Sequence, residues 1–152
     1  MWFVKLVGSA LLVASTFGIG VYAVNSLKKR AEALGFYSKL AGSVALQINS
    51  TAAELYDIVN TVYGCRDYLE LSRPFKVRLK PCELSASEQK TVEEFFEGLG
   101  MGELEAQVKR CEGYAALFAE QYREALGEYR EKSKLYKMLG LFSGLVIAII
   151  LV

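Results

Sequence analysis

The sequence predicts an all-α protein: a cytoplasmic antiparallel helical bundle anchored by an N-terminal and a C-terminal transmembrane helix. Three observations predict it. From Leu104 to Tyr136, apolar or small residues recur at steps of four and three (Leu104, Val108, Cys111, Ala115, Phe118, Tyr122, Ala125, Tyr129, Tyr136), the 3.5-residue period of a helix packed along a partner helix. Both ends of the chain are apolar. All 17 acidic residues and 17 of the 18 basic ones lie between Asn25 and Lys137. No proline interrupts the stretch from Glu103 to Val152, so the last helix is expected to be long and to run into the C-terminal anchor without a break.

The division that follows is a transmembrane helix over 3–27, a helical domain over 28–137 and a second membrane segment over 138–152. The first segment carries Lys5 as its single charge, and Leu6 to Leu27 is long enough to span a hydrocarbon core of ~30 Å at ~1.5 Å per residue. Gly8, Ser9, Gly18 and Gly20 would let another helix approach, and Trp2 and Tyr22 suit the membrane interfaces. Val21-Tyr22-Ala23 is also an acceptable signal-peptide cleavage pattern, but Lys28-Lys29-Arg30 follows directly, and such a cluster tends to stay in the cytoplasm. Lys134 and Lys137 precede the second segment, so Lys28, Lys29, Arg30, Lys134 and Lys137 together place the central domain in the cytoplasm. Met138 to Val152 has no ionisable side chain, and Gly140 and Gly144 form a GxxxG pair suited to helix packing in lipid.

Between the anchors, Ala31 to Ile48 reads as a helix with Leu34, Tyr37, Leu40, Ala41, Val44, Ala45 and Ile48 on one side, either separate or continuing the first anchor. Asn49-Ser50-Thr51 reads as a break, and Thr51 with Glu54 has capping-box spacing for a helix that carries Leu55, Ile58, Val59 and Val62 and stops near Gly64. A short helix is expected over Asp67 to Leu71. Pro74 and Pro81 bound a period-two stretch in which Phe75, Val77 and Leu79 alternate with Lys76, Arg78 and Lys80, an extended segment with a basic edge running from Arg73 to Lys80. The edge is either solvated or a contact for anionic headgroups or an acidic partner. Ser85-Ala86-Ser87-Glu88 is a capping box, opening a helix whose apolar side is Val92, Phe95, Phe96 and Leu99. Gly98 to Gly102 then turns the chain, with Gly100, Gly102 and Gln107 as the residues that fix the turn. It lacks the GxxxxGK[ST] pattern of a phosphate loop.

Chemistry is sparse. The chain has no histidine, the commonest general base and metal ligand. Its cysteines, Cys65, Cys82 and Cys111, have no CxxC spacing and read as buried or half-buried thiols in a reducing compartment. Glu93 with Glu94, and Glu103 with Glu105, have no base or metal ligand beside them and read as solvated helix faces. A net charge of +1 does not suggest nucleic-acid binding. No enzyme, cofactor or metal is therefore expected.

Several stretches together resemble a known family. These are Leu6-Val7-Gly8-Ser9-Ala10-Leu11-Leu12 with Ser15-Thr16-Phe17-Gly18, Leu46-Gln47-Ile48, Leu99-Gly100 followed by Glu103, Glu105 and Gln107, and the closing Tyr136-Lys137-Met138-Leu139-Gly140-Leu141-Phe142-Ser143-Gly144-Leu145. The set resembles stage III sporulation protein AB of endospore-forming Firmicutes, and the likeness is carried by both ends of the chain. It departs at Gly102, where members usually carry serine, threonine or aspartate. That family is similar to the cytoplasmic domain of type II secretion inner-membrane platform (F-domain) proteins. The resemblance implies a non-enzymatic component of the mother-cell membrane around the forespore, in a secretion-like complex. Its partners would be the lipid bilayer, a secretion-type ATPase (stage III sporulation protein AA), other membrane proteins of the complex and further copies of itself. A helical adaptor of another envelope complex, and an extracytoplasmic domain behind a cleaved signal peptide, are the alternatives.

Overall fold

The computed structural model describes residues 2–50, 54–73 and 75–151. Its elements are α1 (Trp2–Ser50), α2 (Leu55–Thr61), α3 (Cys65–Tyr68), β1 (Leu69–Ser72), β2 (Lys76–Leu79), α4 (Ala86–Glu97) and α5 (Leu104–Leu151). The chain divides into two compact units, one of Met1–Lys28 with Ala125–Val152 and one of Lys29–Glu124.

The fold is mostly helical, as expected, with one correction. The N-terminal segment and the helix after it form one uninterrupted helix, α1, the continuous one of the two arrangements the sequence left open. The middle is not all-α: β1 and β2 pair antiparallel, with Leu69 opposite Leu79, Glu70 opposite Arg78, Leu71 opposite Val77 and Ser72 opposite Lys76. The short helix expected over Asp67–Leu71 is displaced to Cys65–Tyr68, because Leu69 and Leu71 alternate with Glu70 and Ser72 and can turn one face to the core only in extended chain. The basic stretch is thus the second arm of a hairpin. Lys76 and Arg78 are exposed, and Arg78 faces Glu70 across the ladder. Arg73 reaches Asp57 at 3.5 Å and lies over the Tyr56 ring. Pro74 and Thr51 lie outside the described residues. Glu54 is not the third residue of a capped helix. It stands before α2 in extended conformation, and its carbonyl accepts from Asp57 N and Ile58 N.

The core of the larger unit is one cluster. Tyr37, Leu40, Ala41, Val44 and Ala45 of α1 meet Ile58 and Val59 of α2, Leu69 of β1, Val92 and Phe95 of α4, and Cys111 and Phe118 of α5. Tyr37, Phe95, Tyr114 and Phe118 form a chain of ring contacts at 5.4–6.0 Å. The aliphatic stripe expected on Ala31–Ile48 is this core face. Gly35 serves the packing: a Cβ there would stand 3.2 Å from the Tyr122 ring, so a larger residue would push α5 away. Cys65 and Cys111 are buried, Cys82 is half-buried, and all three are free thiols. Burial raises the pKa of each.

The expected seam on α5 is visible as Cys111, Phe118 and Ala125, all buried, with Val108, Ala115, Tyr122, Tyr129 and Tyr136 half-buried beside them; past Ala125 the buried described residues are Ser133 and Gly140, one position off the expected series. Leu104 departs from it and is exposed. From Cys111 to Ala125 the buried steps are seven; from Ala125 to Ser133 the step is eight, which brings the mean period closer to that of a straight helix.

The glycine turn between α4 and α5 is built as its residues require. Gly98 is the C-cap of α4. Gly100 and Gly102 both have left-handed backbone, at φ +87° and +95°. At Gly100 a Cβ would also meet Leu55 Cδ1 at 3.1 Å, whereas at Gly102 nothing lies within 4 Å. Gly100→Ala is therefore expected to destabilise the protein by about 1–2 kcal/mol and more than Gly102→Ala. Thermal unfolding of the purified chain compares the two, and equal losses would contradict the role given to Leu55.

Candidate functional site

Two features of the larger unit carry its electrostatics. Arg30 of α1 grips Glu88 of α4 bidentately: Nε lies 3.2 and 3.1 Å from the two carboxylate oxygens and a terminal nitrogen 2.7 Å from Oε1. Glu88 is also the reciprocal partner in the expected capping box, accepting from Ser85 N at 2.8 Å while its own N–H donates to Ser85 Oγ at 3.3 Å. One carboxylate thus fixes the start of α4 and ties it to α1. Its side chain is nearly fully buried. Burial alone would raise its pKa, but the hydrogen bonds from Arg30 and Ser85 and the Arg30 charge outweigh that and hold it below the ordinary 4.5.

The second feature is the far end of α4. Arg110 donates to the Glu94 carbonyl at 2.8 Å, lies over the Tyr114 ring and occupies the space where a side chain at Gly98 would stand. Gln107 Nε2 donates to the Gly102 carbonyl at 3.0 Å, bracing the turn as its position suggested. The backbone N–H of Gln107 donates to the Glu103 carbonyl, so Glu103 rather than Gly102 stands at the cap of α5.

In the smaller unit α1 and α5 run antiparallel in contact. A Cβ at Gly20 would stand 3.5 Å from the Tyr136 carbonyl oxygen, and one at Gly140 would stand 3.4 Å from the Phe17 ring and 3.7 Å from Phe17 Cα. Gly140 is buried here, against α1. The surroundings of its expected partner Gly144 lie outside the described residues, as do the side chains of Trp2 and Ser9. Gly8 and Gly18 have open space around them. Away from the contact the large apolar side chains face outward: Ile19 is 71% exposed, Tyr22 72%, Leu141 63% and Ile149 68%, and Leu11, Val21, Met138, Leu139, Phe142, Leu145 and Val146 are also exposed. Lys28 lies beyond Gly20 on α1, and Lys132, Lys134 and Lys137 lie before or beside its partner on α5, so these exposed lysines gather at one end of the pair.

Lys29, also exposed, belongs to the larger unit, where it lines a groove of about 500 Å³ with Glu32, Asp67, Tyr68, Pro81, Cys82 and Glu83. Among the described residues no group of three or more Cys, Asp or Glu is placed to hold a metal ion. Searched over the same residues, no helix is long and apolar enough to cross a membrane.

The family model for stage III sporulation protein AB matches residues 70–152, from β1 to the end of α5. The chain belongs to the stage III sporulation protein AB family. It is thus a sporulation-related protein. The matched span takes in the middle of this family member, where the sequence offered least resemblance, and leaves out residues 1–69, among them the N-terminal run that carried part of it. No curated protein matches the chain, and no solved structure does.

Arg30 was legible only as one of three consecutive cations. Its pairing was signalled weakly, by its place one turn before the core residues Ala33 and Leu34 and by a capping-box glutamate whose second oxygen was free to accept more. Phe17 stood in a stretch that carried the resemblance, but nothing about it marked a contact with α5.

Three expectations follow. Arg30→Met leaves a buried carboxylate unpaired and is expected to cost about 2–4 kcal/mol, a little under the cost at a fully buried pair because Arg30 is 27% exposed. A carboxyl with a depressed folded pKa stabilises the fold above its ordinary value and loses that contribution as pH falls through the folded value. Melting temperature should therefore fall on acidification below about pH 5 in the wild type and fall less steeply in Glu88→Gln. Parallel curves would show that this pair is not the titrating element. Separately, Gly140→Leu should force α5 off Phe17 and lower the melting temperature, while Gly140→Ala, at ordinary contact distance, should be close to neutral.

Proposed function

We propose that the protein is a non-enzymatic membrane component of a sporulation-specific, secretion-like complex between mother cell and forespore. In this reading the α1–α5 pair of the smaller unit lies in the bilayer. The larger unit faces the cytoplasm and couples a secretion-type ATPase, stage III sporulation protein AA, to the membrane proteins of the complex. The observation that carries the reading is the outward-facing apolar surface of the pair. Helices that are apolar on their outer faces as well as along their contact are suited to lipid, and α5 has no ionisable residue from Met138 to Leu151. The lysines at one end of the pair supply the orientation.

Two further points support it. Cleavage after Ala23 would remove Phe17 and Gly20, the α1 residues in contact with α5, which argues against a processed signal peptide. The described residues of the larger unit carry packing and ion pairs, and the buried carboxylate of Glu88 is committed to Arg30 and Ser85. A helical domain of this kind transmits position between an ATPase and a membrane channel.

The test uses exposed sites. In a Cys82→Ser background, in which the remaining thiols are buried, Lys90→Cys should resist an impermeant maleimide in intact sporulating cells and react after lysis. Crosslinking of the full chain in the same membranes should recover a secretion-type ATPase. Labelling of Lys90→Cys in intact cells would reject the cytoplasmic placement. Recovery of membrane proteins without any ATPase would reject the coupling role.

A further inference from the structure

The contacts within the smaller unit fix which residues of α1 and α5 share a level. Gly20 lies beside Tyr136 and Phe17 beside Gly140, so the paired residue numbers sum to about 156–157. At that register Lys137 stands level with Gly20, and Lys134 with Ala23. The α1 segment from Gly20 to Leu27 is uncharged by itself but runs beside lysines. It cannot count as hydrocarbon-facing length for the pair.

The other boundary comes from α1. Lys5 is the only charged residue before Lys28, and it precedes Gly20 by 15 residues. Fifteen residues along α5 from Tyr136 reach Leu151, so at this register Leu151 stands level with Lys5. Between Lys137 and Lys5 both arms are free of ionisable residues over the same height, ~22 Å at ~1.5 Å per residue. An ordinary hydrocarbon core is ~30 Å. One lysine on each helix bounds the slab, Lys137 on α5 and Lys5 on α1, from opposite sides.

Resting on the membrane reading above, we infer that the α1–α5 pair fits a hydrocarbon layer thinner than the usual one, bracketed by Lys5 and Lys137, and selects thin bilayers. A slab shorter than its bilayer must thin the lipid or draw the flanking lysines toward the headgroups, and either response grows with thickness.

The experiment reconstitutes the full chain into phosphatidylcholine vesicles whose acyl chains have fourteen, eighteen or twenty-two carbons. Trp2, the only tryptophan, reports depth through quenchers placed along the lipid chain, and alkaline extraction gives the inserted fraction. The expected result is the highest inserted fraction in the fourteen-carbon bilayer and a fall of about threefold or more in the twenty-two-carbon one. Lys5→Leu lengthens the uncharged run of α1 and should move the optimum to thicker bilayers. Equal insertion at all three thicknesses, a maximum in the thickest, or no change in the optimum with Lys5→Leu would overturn the inference while leaving the membrane reading standing. Insertion into none of the vesicles would overturn the membrane reading itself.

Discussion

The constraint on which the structure depends is the contact between its two long helices. Within the smaller unit that contact is made where side chains are small or absent: Gly20 against the backbone of α5, and Gly140 against Phe17. Within the larger unit Gly35 admits the Tyr122 ring, and Ser38 Oγ donates to the Ala115 carbonyl at 3.1 Å. Helices pack at 8–10 Å only where side chains allow, and glycine at the crossing lets dispersion contacts form along the backbone itself. In water this adds to the hydrophobic burial of Tyr37, Leu40 and Phe118. In the lipid setting proposed for the smaller unit, where apolar burial gives no preference for helix over solvent, it would be the main attraction.

Around that contact the remaining elements are attached by a few strong local devices. The Arg30–Glu88–Ser85 group is the most economical of them, because a single carboxylate caps α4, neutralises a cation on α1 and leaves neither charge unpaired. At the other end of α4, Arg110 satisfies a terminal carbonyl and fills the space above Gly98. The hairpin of β1 and β2 covers the core with Leu69 and with the half-buried Leu71, Val77 and Leu79. Its outer edge carries lysine and arginine, which discourages pairing with a second strand.

Much of this was legible before the structure. The 3.5-residue period on α5 named the buried Cys111, Phe118 and Ala125, because a seam that must face a partner over many turns leaves a long statistical trace, but it missed Ser133 and Gly140, where the buried face has drifted by one residue. The capping box at Ser85 was equally plain, since both of its bonds are local. What could not be read were the pairings between distant segments. Leu69 and Leu71 resembled the end of a short helix because four residues do not distinguish period two from period 3.6; only Val77 and Leu79 across the ladder decide it. Arg30 was hidden among Lys28 and Lys29, and Thr51–Glu54 matched a local pattern that Glu54 does not adopt. The register between the apolar arms was hidden for a similar reason. Read one at a time, the first segment spans 22 residues; read in register with α5, lysines stand beside its last turns.

Membership in the stage III sporulation protein AB family and the geometry meet in the antiparallel pair, since the matched span ends in the half of it contributed by α5. The measurement that tests this most directly is a disulfide crosslink in membranes. With Cys65, Cys82 and Cys111 replaced by serine or alanine, Phe17→Cys combined with Gly140→Cys should close to a disulfide under mild oxidation, since these positions are within bonding reach. Phe17→Cys combined with Leu135→Cys should not. Crosslinking of the second pair without the first, or of neither, would contradict the register on which the account rests.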